Sequence, residues 1–326
     1  MIIVTGGAGF IGSNLVKALN HQGESDILVV DNLSNNDKSA NLADLKIRDY
    51  MDKNSFFEYM SSGKGFENLD VVLHQGACSD TMETDGKYML HNNFIYSKSV
   101  FKLCVEHNAA FIYASSASVY GNGIKFKECP KNESTLNTYA WSKLLFDNYI
   151  RAVEDISIQC AGLRYFNVYG PREFHKSRMA SVAWHFNNQY KENGSVNLFS
   201  GSGGYDDGEQ LRDFVYIDDV VNVNLFLIQH PGVNGIFNVG TGRGQSFNEV
   251  ALAVINYHKK AQGKQSIELS DAVNNGEINY IAMPEALCGR YQSYTQADLE
   301  SLRSTGFSGE FRHVTTGVND YLSAIS

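Results

Sequence analysis

Short, unbroken apolar runs recur along the first half of the chain. Each is followed by a stretch in which apolar residues return every third or fourth position. The runs are Ile2-Ile3-Val4, Ile27-Leu28-Val29-Val30, Val71-Val72-Leu73-His74 and Phe111-Ile112-Tyr113-Ala114. They carry too few polar positions for strands with one wet face, so they predict a parallel sheet covered on both sides. Ser13–Leu19 keeps helical spacing, and residues 91–107 predict a helix with Phe94, Val100, Phe101 and Cys104 inward. A further helix over about 138–154 leads to a strand over Ile156–Arg164. This alternation gives the α/β class, with a Rossmann-type doubly wound parallel sheet.

After about residue 170 the pattern loosens. A helix near 179–191 precedes a glycine-rich loop over Ser200–Gly208. Asp213–Ile217 and Gly235–Val239 predict strands with an amphipathic helix between them. Ser246-Phe247-Asn248-Glu249 has the form of a capping box opening a helix to about Lys260. Thr295–Asp298 and Val314–Ile325 predict two more helices. No repeat, low-complexity segment or linker divides the chain, so the second half is expected as a smaller mixed α/β lobe.

Composition narrows the possible partners. The 326 residues carry 27 Lys+Arg against 36 Asp+Glu, a net charge of −9. This argues against nucleic acid and leaves room only for a local site that holds an anion. Five cysteines, Cys78, Cys104, Cys129, Cys160 and Cys288, are odd in number and form no C-x-x-C. They are expected as reduced thiols, with no disulfide framework and no metal site. No apolar stretch approaches the ~18 residues of a membrane span, and no basic leader precedes the first strand; the expected compartment is cytoplasmic.

Chemistry enters at the first turn. Thr5-Gly6-Gly7-Ala8-Gly9-Phe10-Ile11-Gly12 places Gly6, Gly9 and Gly12 between a strand and a helix. Dinucleotide binding needs that arrangement, because only a turn without side chains brings backbone amides and a helix N-terminus up to a pyrophosphate. The expected division is therefore a dinucleotide-binding domain over 1–170, to which segments near 213–240 return, and a mainly substrate-binding lobe over 171–326. Asp31 ends the second strand, where an acid usually bonds the ribose 2′-hydroxyl of NAD. Lys38 and Lys53 follow nearby and could neutralise a 2′-phosphate, so the residues alone leave NAD and NADP open.

Tyr139-Ala140-Trp141-Ser142-Lys143 sets Tyr139 and Lys143 one helical turn apart. A neighbouring ammonium favours the phenolate, which suits proton exchange with an alcohol while a nicotinamide exchanges hydride. Ser116 ends the strand at 111–114, where its hydroxyl could polarise a substrate oxygen.

Together the motif at 5–12, Ala114–Gly121, Tyr139–Lys143 and Arg164–Arg172 resemble the extended short-chain dehydrogenase/reductase superfamily. Val30–Leu33, Asp49–Lys53, His175-Lys176, Met179–Ala183, Gly289–Gln292 and Thr295–Leu299 further resemble its ADP-L-glycero-D-manno-heptose 6-epimerases, over essentially the whole chain. The resemblance implies NADP, one per subunit, held by Phe10, Ile11, Asp31, Asn32, Lys38, Lys53, Gln75, Gly76, Ala77, Cys78, Ser79, Asn92, Lys143, Val168 and Lys176. It implies an ADP-heptose held by Ser116, Asn167, Arg178, His185, Phe199, Ser200, Gly201, Ser202, Arg212 and Tyr291. Arg212 also makes chemical sense, since a guanidinium grips a diphosphate bidentately.

The implied reaction is epimerisation at C6 through a transient 6-keto sugar, supplying heptose for the lipopolysaccharide inner core. Tyr139 and Lys176 would be opposing acid/base groups, and a homo-oligomer, a pentamer, is implied. The chain departs from the family pattern at Ser177-Arg178, often Gly-Ser, and at Gln75, often an acid. Two other readings fit the dinucleotide motif. One is a UDP-hexose 4-epimerase; the other is a non-catalytic NADP-binding redox sensor, which would not need the Tyr139/Lys143 pair.

Overall fold

Continuous apolar runs become strands because burying both faces is the only way to remove them from water. In the computed structural model, residues 1–33, 37–284 and 292–326 are described. The chain alternates β1 (Ile2–Thr5), α1 (Phe10–His21), β2 (Ile27–Asp31), α2 (Asp37–Ala40), β3 (Asp49–Asp52), α3 (Lys53–Ser61) and β4 (Val71–His74). It continues through α4 (Gly86–Leu90), α5 (Tyr96–Glu106), β5 (Ala110–Ser116), α6 (Thr138–Ala152) and β6 (Cys160–Tyr165). These strands and a later one, β11 (Gly235–Val239), form a seven-stranded parallel sheet in the order β11-β6-β5-β4-β1-β2-β3. The strand order reverses between β1 and β4, so the loops after both strands diverge and open a crevice at the sheet's C-terminal edge.

The helix predicted over 91–107 is interrupted. A single π-turn over His91–Ile95 precedes α5, and it brings Asn93 inward to bond both the amide and the carbonyl of Cys78, at 2.8 and 2.9 Å. The strand predicted from Ile156 starts four residues later, at Cys160.

The second half packs onto the crevice. It comprises β7 (Asn167–Tyr169), α7 (Val182–Asn193), β8 (Val196–Phe199), β9 (Leu211–Arg212), β10 (Phe214–Tyr216), α8 (Ile217–Gln229) and β11 (Gly235–Val239). After these come β12 (Gln245–Ser246), α9 (Phe247–Ala261), α10 (Leu269–Asn274), β13 (Ile278–Ile281), α11 (Glu300–Ser304) and α12 (Val314–Ala324). Short two-stranded pairings join β7 to β10, β9 to β12 and β8 to β13. One large core runs from β1 through β6 and β11 into α8, α9 and α12, so the lobe shares its apolar interior with one face of the sheet.

Ser246 caps α9 by accepting from the Glu249 amide at 3.2 Å, while the Glu249 carboxylate accepts from Gln245 instead of closing the box. The helix predicted over Thr295–Asp298 does not form. Asp213, fully buried, accepts from the Ala297 amide at 2.9 Å, and its own amide donates to the Thr295 hydroxyl at 3.0 Å. Thr241 and Gly242 fill the rest of that carboxylate. These long-range bonds hold 295–297 extended, and the helix starts only at Glu300.

Candidate active site

The turn after β1 is closed by glycine geometry. Gly6 takes φ +66°, and a Cβ on it would lie 2.7 Å from the Gly76 amide nitrogen. A Cβ on Gly12 would lie 2.1 Å from the Gly6 carbonyl oxygen. The Gly9 amide donates to that same carbonyl at 2.9 Å, and no side chain caps α1. The first turn of α1 thus meets the crevice with its positive dipole end bare, an anion site worth roughly 0.3–1 kcal/mol per charge.

Two connected hollows lie along this edge. The larger, about 610 Å³, is walled by Gly6, Gly9–Gly12, Gln75–Asp80, Ala114–Ser116, Tyr139, Lys143, Tyr165, Phe166, Val168 and His175–Met179. The smaller adds Asn32, Lys53, Tyr88, Asn92 and Tyr96, and shares Asp31, Lys38 and Gly76–Cys78 with the first. Every residue that the resemblance assigns to the cofactor lies on one hollow or the other. Both amide atoms of Gln75 are buried beside the Tyr165 hydroxyl without hydrogen-bond geometry to any partner. Such an orphaned amide on a cleft wall suits a polar ligand.

At the narrow end Asp31 is fully used. One carboxylate oxygen accepts from the Ala8 amide at 3.0 Å; the other accepts from the Asn32 amide at 2.7 Å and Lys38 Nζ at 3.0 Å. Lys53 donates to the Asn92 side chain at 2.7 Å. Beneath the turn, His74 bonds Thr5 Oγ1 at 2.6 Å and Ser97 Oγ at 2.8 Å. Burial, with Lys143 nearby, pulls its pKa down to about 3.

At the wide end α6 supplies the chemistry. Asn137 caps it, accepting from the Ala140 amide at 2.8 Å, which sets Tyr139 in the first turn. Lys143 follows one turn on and Asp147 two turns on. Lys143 Nζ donates to the Ala114 carbonyl at 2.8 Å; burial lowers its pKa to about 8 against the opposing field of Asp147. Asp147 is itself fully buried and accepts from Arg164, Tyr113 and Ser115 at 2.8–3.1 Å. Pairing of this kind is what makes burial of such charges tolerable.

Burial raises the Tyr139 phenol, and only the Ser116 hydroxyl beside it opposes the rise. The expected lowering by Lys143 is therefore not the dominant influence on Tyr139. The turn Phe174–Met179, which lines the same hollow, carries Lys176, whose ammonium stands 5.3 Å from the Phe10 ring centroid. Burial lowers its pKa, with Glu173 pulling the other way.

The remaining expected residues are placed unevenly. Arg178 lines the cleft mouth and pairs with Asp80 at 2.6 Å. Asn167 lies on β7 between two cleft residues and donates to Thr295 Oγ1 at 3.2 Å. Arg212 is buried on β9 with its guanidinium 5.7 Å from the Phe247 ring centroid. His185 is half-buried on α7, and Phe199–Ser202 leave β8 toward a loop closed by Gln210, which donates to Ser200 O and Ser202 Oγ at 3.1 Å. These last residues do not wall the two hollows, and Tyr291 lies outside the described residues. Sequence reasoning missed Asp80, Tyr165 and Asp147. The i+4 spacing from Lys143 pointed to Asp147, and the C-terminal end of β6 pointed to Tyr165.

Comparison with known proteins adds an independent line. Residues 2–240 match the NAD dependent epimerase/dehydratase family. The chain is 52% identical over 324 residues to the ADP-L-glycero-D-manno-heptose-6-epimerase of Thiobacillus denitrificans, covering 99% of this chain and 98% of that one. It is 52% identical over 327 residues to the enzyme of the same name from Alkalilimnicola ehrlichii, covering 100% and 98%. Among solved structures it resembles Helicobacter pylori ADP-L-glycero-D-manno-heptose-6-epimerase, with a TM-score of 0.82 and 31% identity over 99% of this chain and 95% of that one. It also resembles the UDP-glucose 4-epimerase of Thermotoga maritima, with a TM-score of 0.77 and 26% identity over 99% and 98%.

Proposed function

The chain belongs to the NAD dependent epimerase/dehydratase family, in the branch of the heptose 6-epimerases, and on that premise we propose that it converts ADP-D-glycero-D-manno-heptose to ADP-L-glycero-D-manno-heptose. One observation carries the reading. A single cleft receives Tyr139 from α6 and Lys176 from the turn before α7, two proton-carrying groups brought to it by separate elements.

In this reading the residues through 170 hold a nicotinamide dinucleotide and the later segments hold the sugar nucleotide. The bare first turn of α1 and the orphaned Gln75 amide fit the dinucleotide. NADP is favoured because Lys38 already neutralises Asp31, leaving Lys38, Asn32 and Lys53 around the space for a 2′-phosphate. A bound nicotinamide supplies reversible two-electron chemistry at the carbinol carbon. Tyr139, with Ser116 at its hydroxyl, exchanges the C6 hydroxyl proton of one epimer, and Lys176 that of the other. The 6-keto sugar either turns about its C5–C6 bond or meets the two groups on its two sides. Lys143, held by Ala114, orients the ribose and keeps positive charge one turn behind Tyr139.

Ser116, Asn167, Arg178, His185, Phe199–Ser202, Arg212 and Tyr291 are proposed to grip the ADP-heptose. A homo-oligomer in the cytoplasm, feeding lipopolysaccharide inner-core synthesis, completes the reading. The test is parallel incubation with ADP-D-glycero-D-manno-heptose and UDP-glucose, with the epimers resolved chromatographically. The L-glycero epimer alone is expected. UDP-galactose alone would overturn the sugar assignment, and no epimer from either would overturn the epimerase reading.

A further inference from the structure

The turn that carries Lys176 is closed on itself by one carboxylate. Glu173 is fully buried. It accepts from the Gly170 amide at 3.3 Å on one side, and from the Ser181 amide and hydroxyl at 2.6 and 2.7 Å on the other. Tyr321 on α12 sets its hydroxyl against the same group. Gly170 and Ser181 bracket the intervening segment, so a single side chain joins its two ends. The Glu173 carbonyl also accepts from the Lys176 amide at 2.9 Å, which shapes the turn itself. The segment needs such a brace. Arg172 and Ser177 sit at φ +75° and +50°, conformations that cost about 1–3 kcal/mol each in non-glycine residues.

The brace also has an electrostatic side. Every group that Glu173 accepts from is a neutral amide or hydroxyl. The other cleft acids are matched already, Asp31 by Lys38 and Asp80 by Arg178. The Phe10 ring from α1 stands against the ammonium, and the other titratable groups walling the same hollow, among the described residues, are Cys78, Tyr139, Lys143, Tyr165 and His175. None of these is an acid able to balance an ammonium. Among the described residues, Glu173, three positions before Lys176 on the same turn, is the acid whose field opposes the desolvation of that ammonium.

We infer that Glu173 is a positioning residue for Lys176, fixing the shape of its turn and placing a negative charge within the segment that carries its ammonium. The inference rests on Lys176 being an acid/base group, but two variants separate it from that reading. Glu173→Gln keeps side-chain length and one accepting oxygen but removes the charge; Glu173→Asp keeps the charge and both accepting oxygens but is shorter and loosens the brace. In protein labelled with 13C-lysine, the Lys176 Cε resonance is assigned by its loss in Lys176→Met and titrated by NMR.

The Glu173→Gln midpoint is expected to fall by at least about half a pH unit, roughly threefold in proton affinity. The alkaline limb of the pH–rate profile moves with it. In Glu173→Asp the midpoint stays within about 0.2 unit while turnover drops several-fold. An unmoved midpoint in Glu173→Gln, or an equal fall in Glu173→Asp, would overturn the inference. Full turnover in Lys176→Met would instead remove the catalytic role of Lys176 and leave the titration to decide the role of Glu173.

Discussion

Lys143 and Tyr139 share one face of α6, and their environments have different effects. Burial brings the Lys143 ammonium within reach of ordinary pH, at about 8, while the same burial keeps Tyr139 protonated. If the ammonium anchors the ribose, cofactor affinity holds below pH 8 and weakens as pH rises through it. Calorimetric titration with NADP between pH 6.5 and 9.5 checks this, and a flat profile would contradict it. Tyr139→Phe and Lys176→Met are each expected to lower turnover by about 10²–10⁴-fold. Melting temperatures should stay close to that of the unsubstituted protein, as scanning calorimetry can verify, because neither side chain is part of the buried Asp147–Arg164 network. The motif residues were legible because their chemistry is local: a glycine turn, and a Tyr and Lys one helical turn apart. Glu173 was not, since its meaning comes from Gly170 and Ser181 closing on it in three dimensions.

Elements divide along a similar line. Strands β1, β2, β4 and β5 were readable as apolar runs, because a strand buried on both faces has no alternative use for them. The edge strand β3, Asp49-Tyr50-Met51-Asp52, carries an acid at each end and gave no such signal, as edge strands avoid a flat apolar face. Thr295–Asp298 looked like a helix start, but the Asp213 carboxylate captured its backbone from a distance. The turn over Phe174–Met179 offers a direct check of stored strain. Ser177→Gly removes the penalty of φ +50°, and should raise stability by about 1 kcal/mol in chemical denaturation after the entropic cost of glycine is subtracted. In the first βα turn, Gly12→Ala drives a Cβ into the Gly6 carbonyl. It is expected to abolish detectable dinucleotide binding, measured by fluorescence titration.

For the molecule as a whole, net charge was the least informative quantity. A surplus of nine negative charges coexists with a cleft lined by amides at a helix end and by four lysines, Lys38, Lys53, Lys143 and Lys176. Where the cleft lies follows from topology, since the strand order reverses between β1 and β4. The same compactness makes the fold sensitive to acid. His74 and His175 stay neutral in the fold, with pKa values near 3 and 4, whereas the unfolded chain protonates both near 6.5. The unfolded state then binds more protons, so stability present above pH 6.5 is lost as pH falls toward 4, by roughly 1.4 kcal/mol per unit for the fully buried His74 and by less for the part-exposed His175, which water screens. Denaturant midpoints at pH 7, 6 and 5 should decline in that order.

In the proposed reaction one cleft inverts C6 by removing and returning the same hydrogen, with Tyr139 and Lys176 handling only the hydroxyl proton. Incubation of ADP-D-glycero-D-manno-heptose bearing deuterium at C6, followed by NMR, tests it most directly. The expected product is the L-glycero epimer with the label still at C6; loss of the label to solvent, or no epimer at all, would contradict that reaction.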